Sequence, residues 1–261
     1  MTETQFLILL GLFFIVAMLY SSVGHAGASG YLAAMALLSV AAATMRPTAL
    51  ALNIVVAALA TWRFSRGGHV KIKRVAPFWL GSIPLAFIGG SVQLPSQIYN
   101  GLVGAVLLCS AAYLAWRAGA SATSAAGTAA VIEPKMPVLP CVLIGAVIGF
   151  LSGLTGTGGG IFLSPLLLLL HWAGPKNTAG ISAPFILLNS MAGLLGGFAR
   201  GTIGLENFGA TIVPLAVAAL CGAAIGSWIG VYKLSNRWLN ITLALVMTIA
   251  AMKLLSLAWS N

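Results

Sequence analysis

The sequence predicts an all-α polytopic membrane protein, built from two inverted repeats of about five helical segments each. Three observations carry this. The chain is 60% hydrophobic and 6% charged, with a mean hydropathy of +1.04, whereas soluble domains carry about 25% charged residues. Apolar stretches of helix length follow one another at short intervals, enough for roughly eight to ten membrane segments. Two Gly-rich interruptions stand at matching places, in the first helix pair of each half.

In chain order, hydropathy marks segments near 6–23, 30–43, 48–64, 75–92 and 99–117. The chain starts without the basic region of a cleaved signal peptide, so 6–23 reads as a retained helix. A polar Ala/Ser/Thr-rich stretch with Gly119, Gly127, Glu133, Pro134, Lys135 and Pro137 then reads as a linker. Further segments lie near 138–153, 160–173, 178–198, 209–231 and 238–258. The expected organisation is an N-terminal transmembrane repeat over 1–117, a cytoplasmic linker over 118–137 and a C-terminal inverted repeat over 138–261.

The halves share identities at an ordered, slowly growing spacing. Ser22 matches Ser152, Gly30 matches Gly160 and Thr48 matches Thr178; Asn53 matches Asn189 slightly further apart, and Gly90, Leu94 and Asn100 match Gly230, Leu234 and Asn240 further still. Small loop insertions within a duplication produce this pattern. Charge sets orientation: Arg63, Arg66, Lys71, Lys73 and Arg74 crowd one loop, which belongs in the cytoplasm. By the same count Lys176, Lys233 and Arg237 fall inside; Arg200 falls outside, offset by Glu206, and Arg46 is the exception, falling outside without an acidic neighbour. Each half then makes an odd number of net crossings, so the halves run antiparallel. Gly-broken short segments at matching positions of inverted repeats point to a transport site at the repeat interface.

A net charge of +10 follows from loop-end basic residues and carries no nucleic-acid reading, since no soluble basic face exists. Cys109, Cys141 and Cys221 sit singly in apolar runs and read as packing residues. The acidic residues Glu3, Glu133 and Glu206 all lie outside the apolar segments. A carboxylate proton relay, a carboxylate Na⁺ site, carboxylate-pair hydrolysis and a metal centre are therefore not expected. No cofactor and no enzymatic activity are expected, and no nucleotide-binding motif is present. Lys253, near the end of the last segment, reads as a snorkelling side chain.

The binding candidates gather at the two breaks. In the second, Ser152, Thr155, Gly156, Thr157, Gly158, Gly159 and Gly160 offer hydroxyls and free backbone N–H groups ahead of a helix start. A helix N-terminus carries about half a positive charge and favours an anion. In the first, Ser22, His25, Ser29 and Gly30 stand in the corresponding place. Asn53 and Asn189 read as buried amides that either donate to a ligand or bond between helices. His25 reads either as a titratable donor or as a neutral imidazole held at the break. The alternative for the glycines is close helix packing. With no resident carboxylate, the expected ligand is a small anion, and the expected surroundings are a lipid bilayer.

The run Gly156-Thr-Gly-Gly-Gly-Ile-Phe-Leu-Ser-Pro165, with Val23-Gly-His-Ala-Gly-Ala-Ser-Gly-Tyr-Leu-Ala-Ala-Met35, resembles the TauE/SafE family of membrane transporters, the sulfite exporter group. The resemblance implies transport of sulfite, organosulfonates or related oxyanions across the bacterial inner membrane. The first copy departs from the pattern: His25, Ala26, Ala28 and Ser29 interrupt its glycines, and Met35 stands where the second copy has Pro165. A passive channel for small anions or solutes is the alternative, and a non-transporting membrane subunit a further one.

Overall fold

A computed structural model describes residues 3–22, 26–120, 136–204, 208, 211–230 and 236–259. Among them the chain forms ten α-helices and no strand. The first five are α1 (Glu3–Ser22), α2 (Ala28–Leu37), α3 (Ala42–Arg66), α4 (Ile72–Ser91) and α5 (Ser96–Ala120). The second five are α6 (Val138–Thr155), α7 (Gly160–Leu169), α8 (Pro175–Ala199), α9 (Ile212–Gly230) and α10 (Asn236–Trp259). Each apolar segment of the sequence is one helix. The expected linker overlaps the end of α5, and most of it, residues 121–135, lies outside the described residues.

Helix lengths repeat in order, 20, 10, 25, 20 and 25 residues against 18, 10, 25, 19 and 24. By length and composition α1, α3, α5, α6 and α8 are long and apolar enough to cross a membrane. The ten residues of α2 and of α7 rise only about 15 Å, half of a bilayer core of about 30 Å. Both stop earlier than hydropathy suggests, because each ends in the same hydrogen-bonded turn. Val40 N donates to Met35 O and Trp172 N to Leu167 O, at 2.9 Å in each case. The turn residues Ser39 and His171 take the left-handed conformation, with φ of 56° and 54°. This is the Schellman geometry that satisfies a helix's last carbonyls. Apolarity thus continues past the helix end, where the chain has already turned.

Backbone contact through glycine sets the packing. Lipid offers no hydrophobic drive between helices, so small residues that let backbones approach hold them together. Along α6, a Cβ at Gly145, Gly149 or Gly153 would strike the carbonyls of Phe78, Ser82 and Ala86 on α4. Along α9, a Cβ at Gly222 or Gly226 would strike those of Phe14 and Met18 on α1. In both pairs the partner numbers rise together, so α4 runs parallel to α6 and α1 parallel to α9. Exchanging the two halves turns one pair into the other. α5 packs against α10 and α3 against α8, and α3 and α8 are the most buried of the five long apolar helices.

These pairings locate the helix ends. The basic connection between α3 and α4 lies where α4 and α6 begin. There Arg74 Nη1 donates to Trp172 O beyond α7 at 3.2 Å, and Gly180 of α8 meets the His69 backbone. The α6–α7 pair therefore starts and finishes at this end. At the other end Arg46, near the start of α3, reaches Val92 O beyond α4 at 2.7 Å. Lys253, expected to snorkel, reaches the exposed Ser39 at this same end. Its Nζ donates to Leu37 O at 2.7 Å and Ser39 Oγ at 2.8 Å, a cation held at the electronegative C-terminus of α2. The α1–α2 pair starts and finishes at this second end.

Two apolar cores result, each around one short helix and each drawing on both halves. The larger joins residues of α1, α2, α3 and α5 to residues of α9 and α10, among them Phe13, Tyr31, Leu52, Leu107, Ala223 and Met247. The smaller joins Val75 and Phe78 of α4 to Cys141, Leu163, Leu167 and Phe185 of α6, α7 and α8.

Gly149→Val should lower the melting temperature in detergent sharply, since overpacking a tight contact costs about 1–3 kcal/mol. Gly11→Val on α1, where a Cβ meets nothing within 4 Å, should leave it unchanged. Equal melting of both variants would remove the close-approach account of the α4–α6 pair.

Candidate functional site

The second break is built from glycines in a conformation other residues avoid. Gly156, Gly158 and Gly159 have φ of 85°, 72° and 81°, and an L side chain there loses roughly 1–2 kcal/mol. Side chains brace the turn. Gly156 N donates to Ser152 O at 2.8 Å, Thr155 Oγ1 to Leu151 O at 2.7 Å, and Tyr99 Oη to Thr155 O at 3.1 Å. Thr155 and Thr157 share a hydroxyl hydrogen bond of 3.0 Å. From α3, Asn53 Nδ2 donates to Gly156 O at 3.3 Å. Space around Gly158 is occupied closely: a Cβ there would stand 2.8 Å from Asn53 Nδ2 and 3.0 Å from Ser190 Oγ.

The first break is its counterpart. Gly27, with φ of 92°, opens α2 as Gly159 opens α7, and neither helix start carries a side-chain cap. The first N–H groups of both helices therefore have no intrahelical partner. This geometry matches Ala28 to Gly160, two residues from the Gly30–Gly160 match suggested by sequence identity. Gly30 instead lies against α1, where a Cβ would stand 2.5 Å from Val16 Cγ1. Tyr20 and Ser29 share a hydroxyl hydrogen bond of 3.0 Å, and Tyr20 Oη also donates to Met247 Sδ at 3.4 Å. A Cβ at Gly27 would stand 3.2 Å from Tyr31 Oη. Ser22 closes α1, its side chain outside what the structure describes, and His25 lies outside the described residues.

The two breaks meet. One small cavity is lined by Tyr20, Gly27 and Ser29 from the first, by Thr157 and Ile161 from the second, and by Ile186 of α8. Around the second break several polar atoms are buried with no hydrogen-bond partner among the described residues. They are Ser152 Oγ, Asn53 Oδ1 and Ser190 Oγ; Tyr31 Oη is a further one beside the first break, and both amide atoms of Asn189 on α8 are likewise without a partner among those residues. Ser152, Asn53, Asn189 and Ser190 are all fully buried. An unsatisfied buried group costs about 1–3 kcal/mol, so such a cluster is suited to a polar occupant. Its hydroxyls and amides can donate, and among the described residues no group of His, Cys, Asp and Glu could hold a metal ion.

Of the residues expected from sequence, the structure brings Asn53, Thr157 and Gly156–Gly160 together with Ser190, and places Ser29 across the cavity from Thr157. Asn189 lies on the same turn of α8 as Ser190. Thr155 is spent on bracing the turn. Tyr20, Tyr31 and Ser190 were not legible as site residues, although Tyr20 and Tyr31 bracket the first Gly-rich stretch.

The family model described as sulfite exporter TauE/SafE matches residues 9–254. A probable membrane transporter protein of Sinorhizobium fredii is 41% identical over 245 residues, covering 93% of this chain and 95% of that protein. A probable membrane transporter protein of Methanocaldococcus jannaschii is 29% identical over 199 residues, covering 72% and 71%. No solved structure matches the chain.

Gly158→Ala should destabilise the protein by more than the roughly 1–2 kcal/mol of left-handed backbone strain alone. Gly201→Ala provides the comparison, since Gly201 has φ of 66° but open space around it. Thermal unfolding in detergent checks this; equal losses would remove the claim that Asn53 and Ser190 crowd the break.

Proposed function

The chain belongs to the sulfite exporter TauE/SafE family and is a multi-pass membrane transporter protein; on that premise we propose that it is a secondary transporter of small sulfur-containing anions. Sulfite, organosulfonates and related oxyanions are the substrate class. The observation that carries this reading is the cavity lined by both breaks, where two uncapped helix starts and buried hydroxyls converge. Positive helix ends and neutral donors stabilise an anion without a resident negative charge to repel it. With each Gly-broken pair starting and finishing at a different end of the bundle, the two halves act as inverted repeats. Rocking one half against the other then opens the cavity to each end in turn, as alternating access requires. Ser152, Asn189, Ser190 and the N–H groups at Gly158–Gly160 bind the anion from the second half, and Asn53, Ser29, Gly27 and Tyr31 from the first.

Flux of sulfite, thiosulfate and methanesulfonate into proteoliposomes, with and without a pH gradient, tests the reading. Saturable flux with counterflow is expected. Movement of a cation with none of these anions would overturn it, and flux without saturation would assign a channel instead. Asn189→Leu should cut anion flux by about tenfold or more, the loss of a hydrogen bond to a charged ligand. The same change should hold or raise the melting temperature, because it removes a buried unpartnered amide. Lost stability with retained flux would give Asn189 a packing role only.

A further inference from the structure

Arg46 is the cation that the topology of the sequence leaves unexplained. It lies in the first turns of α3 with only 7% of its surface exposed. Nη1 donates to Val92 O at 2.7 Å, and Nη2 to Thr202 Oγ1 at 3.2 Å. Thr202 in turn donates to Gly90 O and Gly197 O, each at 3.2 Å. Both of Arg46's acceptors are uncharged. A guanidinium has five N–H donors, so most of its donor capacity is uncommitted among the described residues. No carboxylate among them pairs with it. Of the chain's acidic residues, Glu3 opens α1, and Glu133 and Glu206 lie outside the described residues.

A buried charge without a counter-charge is expensive unless something pays with opposite charge. Hydrogen bonding to two neutral oxygens ties α3 to the ends of α4 and α8, but that strap needs donors, not a net charge. The position supplies a reason for the charge. A Cβ on Gly156 would stand 3.2 Å from Arg46 Cα and 3.3 Å from its Cγ, so the stem of Arg46 covers the outer side of the second break. Asn53, which bonds the same glycine, lies two turns deeper along α3. Arg46 thus stands between the end of the bundle where α3 begins and Asn53, along the same helix.

We propose that Arg46 is an anion-capture residue at the end of the bundle opposite the basic loop. It takes a small oxyanion by its guanidinium and delivers it to the second break. Arginine's planar fork suits an oxyanion, and it keeps its charge in a poorly solvated place. This rests on the anion-transport reading above and adds to it a specific mouth and a specific residue.

The test is sulfite flux in proteoliposomes against substrate concentration, at low and high concentrations of an inert salt. R46Q should raise the half-saturation concentration by about tenfold, the scale of local counter-ion enrichment by a focused charge, with maximal flux nearly unchanged. R46K should stay within about threefold of wild type, since it keeps the charge and loses only the fork. T202A removes an acceptor of the strap and should leave half-saturation unchanged. Added salt should raise half-saturation for wild type and not for R46Q. Unchanged half-saturation in R46Q, equal loss in R46K and R46Q, or the same defect in T202A reduces Arg46 to a strap and overturns the proposal. An E206Q variant with the R46Q defect identifies a structural ion pair and does the same. Should R46Q fail to fold, a wild-type half-saturation that ignores salt overturns it. Wild-type protein that moves no anion sinks the transport reading itself, whereas sulfite flux indifferent to position 46 sinks this inference alone.

Discussion

A helix that breaks in a buried interior leaves backbone groups that need partners, and this protein is arranged around two such breaks. Unsatisfied backbone groups are tolerated at membrane depth only inside protein or beside a polar cavity. Both breaks are accordingly buried, and both lie against long helices that cross between the halves. Asn53 of α3 and Tyr99 of α5 hold the second turn through its carbonyls. The C-terminal ends of the two short helices are closed by identical hydrogen-bonded turns, and Lys253 further neutralises that of α2. Their N-terminal ends are left without side-chain caps. The asymmetry is chemical: the positive ends face inward toward the cavity and the negative ends are satisfied elsewhere.

The same residue type builds the scaffold and the site by opposite means. At Gly145, Gly149 and Gly153 the backbone is ordinary helix, and the missing Cβ lets α4 and α6 touch. At Gly156, Gly158 and Gly159 the missing Cβ permits left-handed backbone. Close packing and helix breaking were the two competing accounts of glycine in this sequence, and both hold at different positions. The interlocking that results is extensive, because α4 joins the core of the second half while α9 and α10 join that of the first. A motion of one half relative to the other must therefore carry these shared helices with it.

Helix number, order and class were legible in the sequence, because hydropathy over a span of lipid-facing residues reports directly on transfer into a bilayer. The second break was legible for the same kind of reason: Gly158-Gly159-Gly160 destabilises a helix wherever it lies. The first break was read less well. Its glycines are diluted by Ala and Ser, and sequence identity set its register two residues away from the cap geometry. Gly30, prominent in the sequence, turned out to face Val16 and Tyr20. Tyr20, Tyr31 and Ser190 could not be picked out, since a hydroxyl within an apolar helix gives no sign of which neighbour it faces.

The sequence alone determined that the chain is helical and membrane-bound, and that no acidic residue lies within its apolar segments. Those properties are sums over residues or local violations of helix propensity, and they need no knowledge of what touches what. Only the tertiary structure decided that the two breaks share one cavity, that Thr155 is spent on its own turn while Asn189 and Ser190 have no hydrogen-bond partner among the described residues, and that Arg46 is buried beside Gly156. Each of these depends on contacts between helices far apart in the chain. Such contacts are set by where glycine lets one backbone approach another.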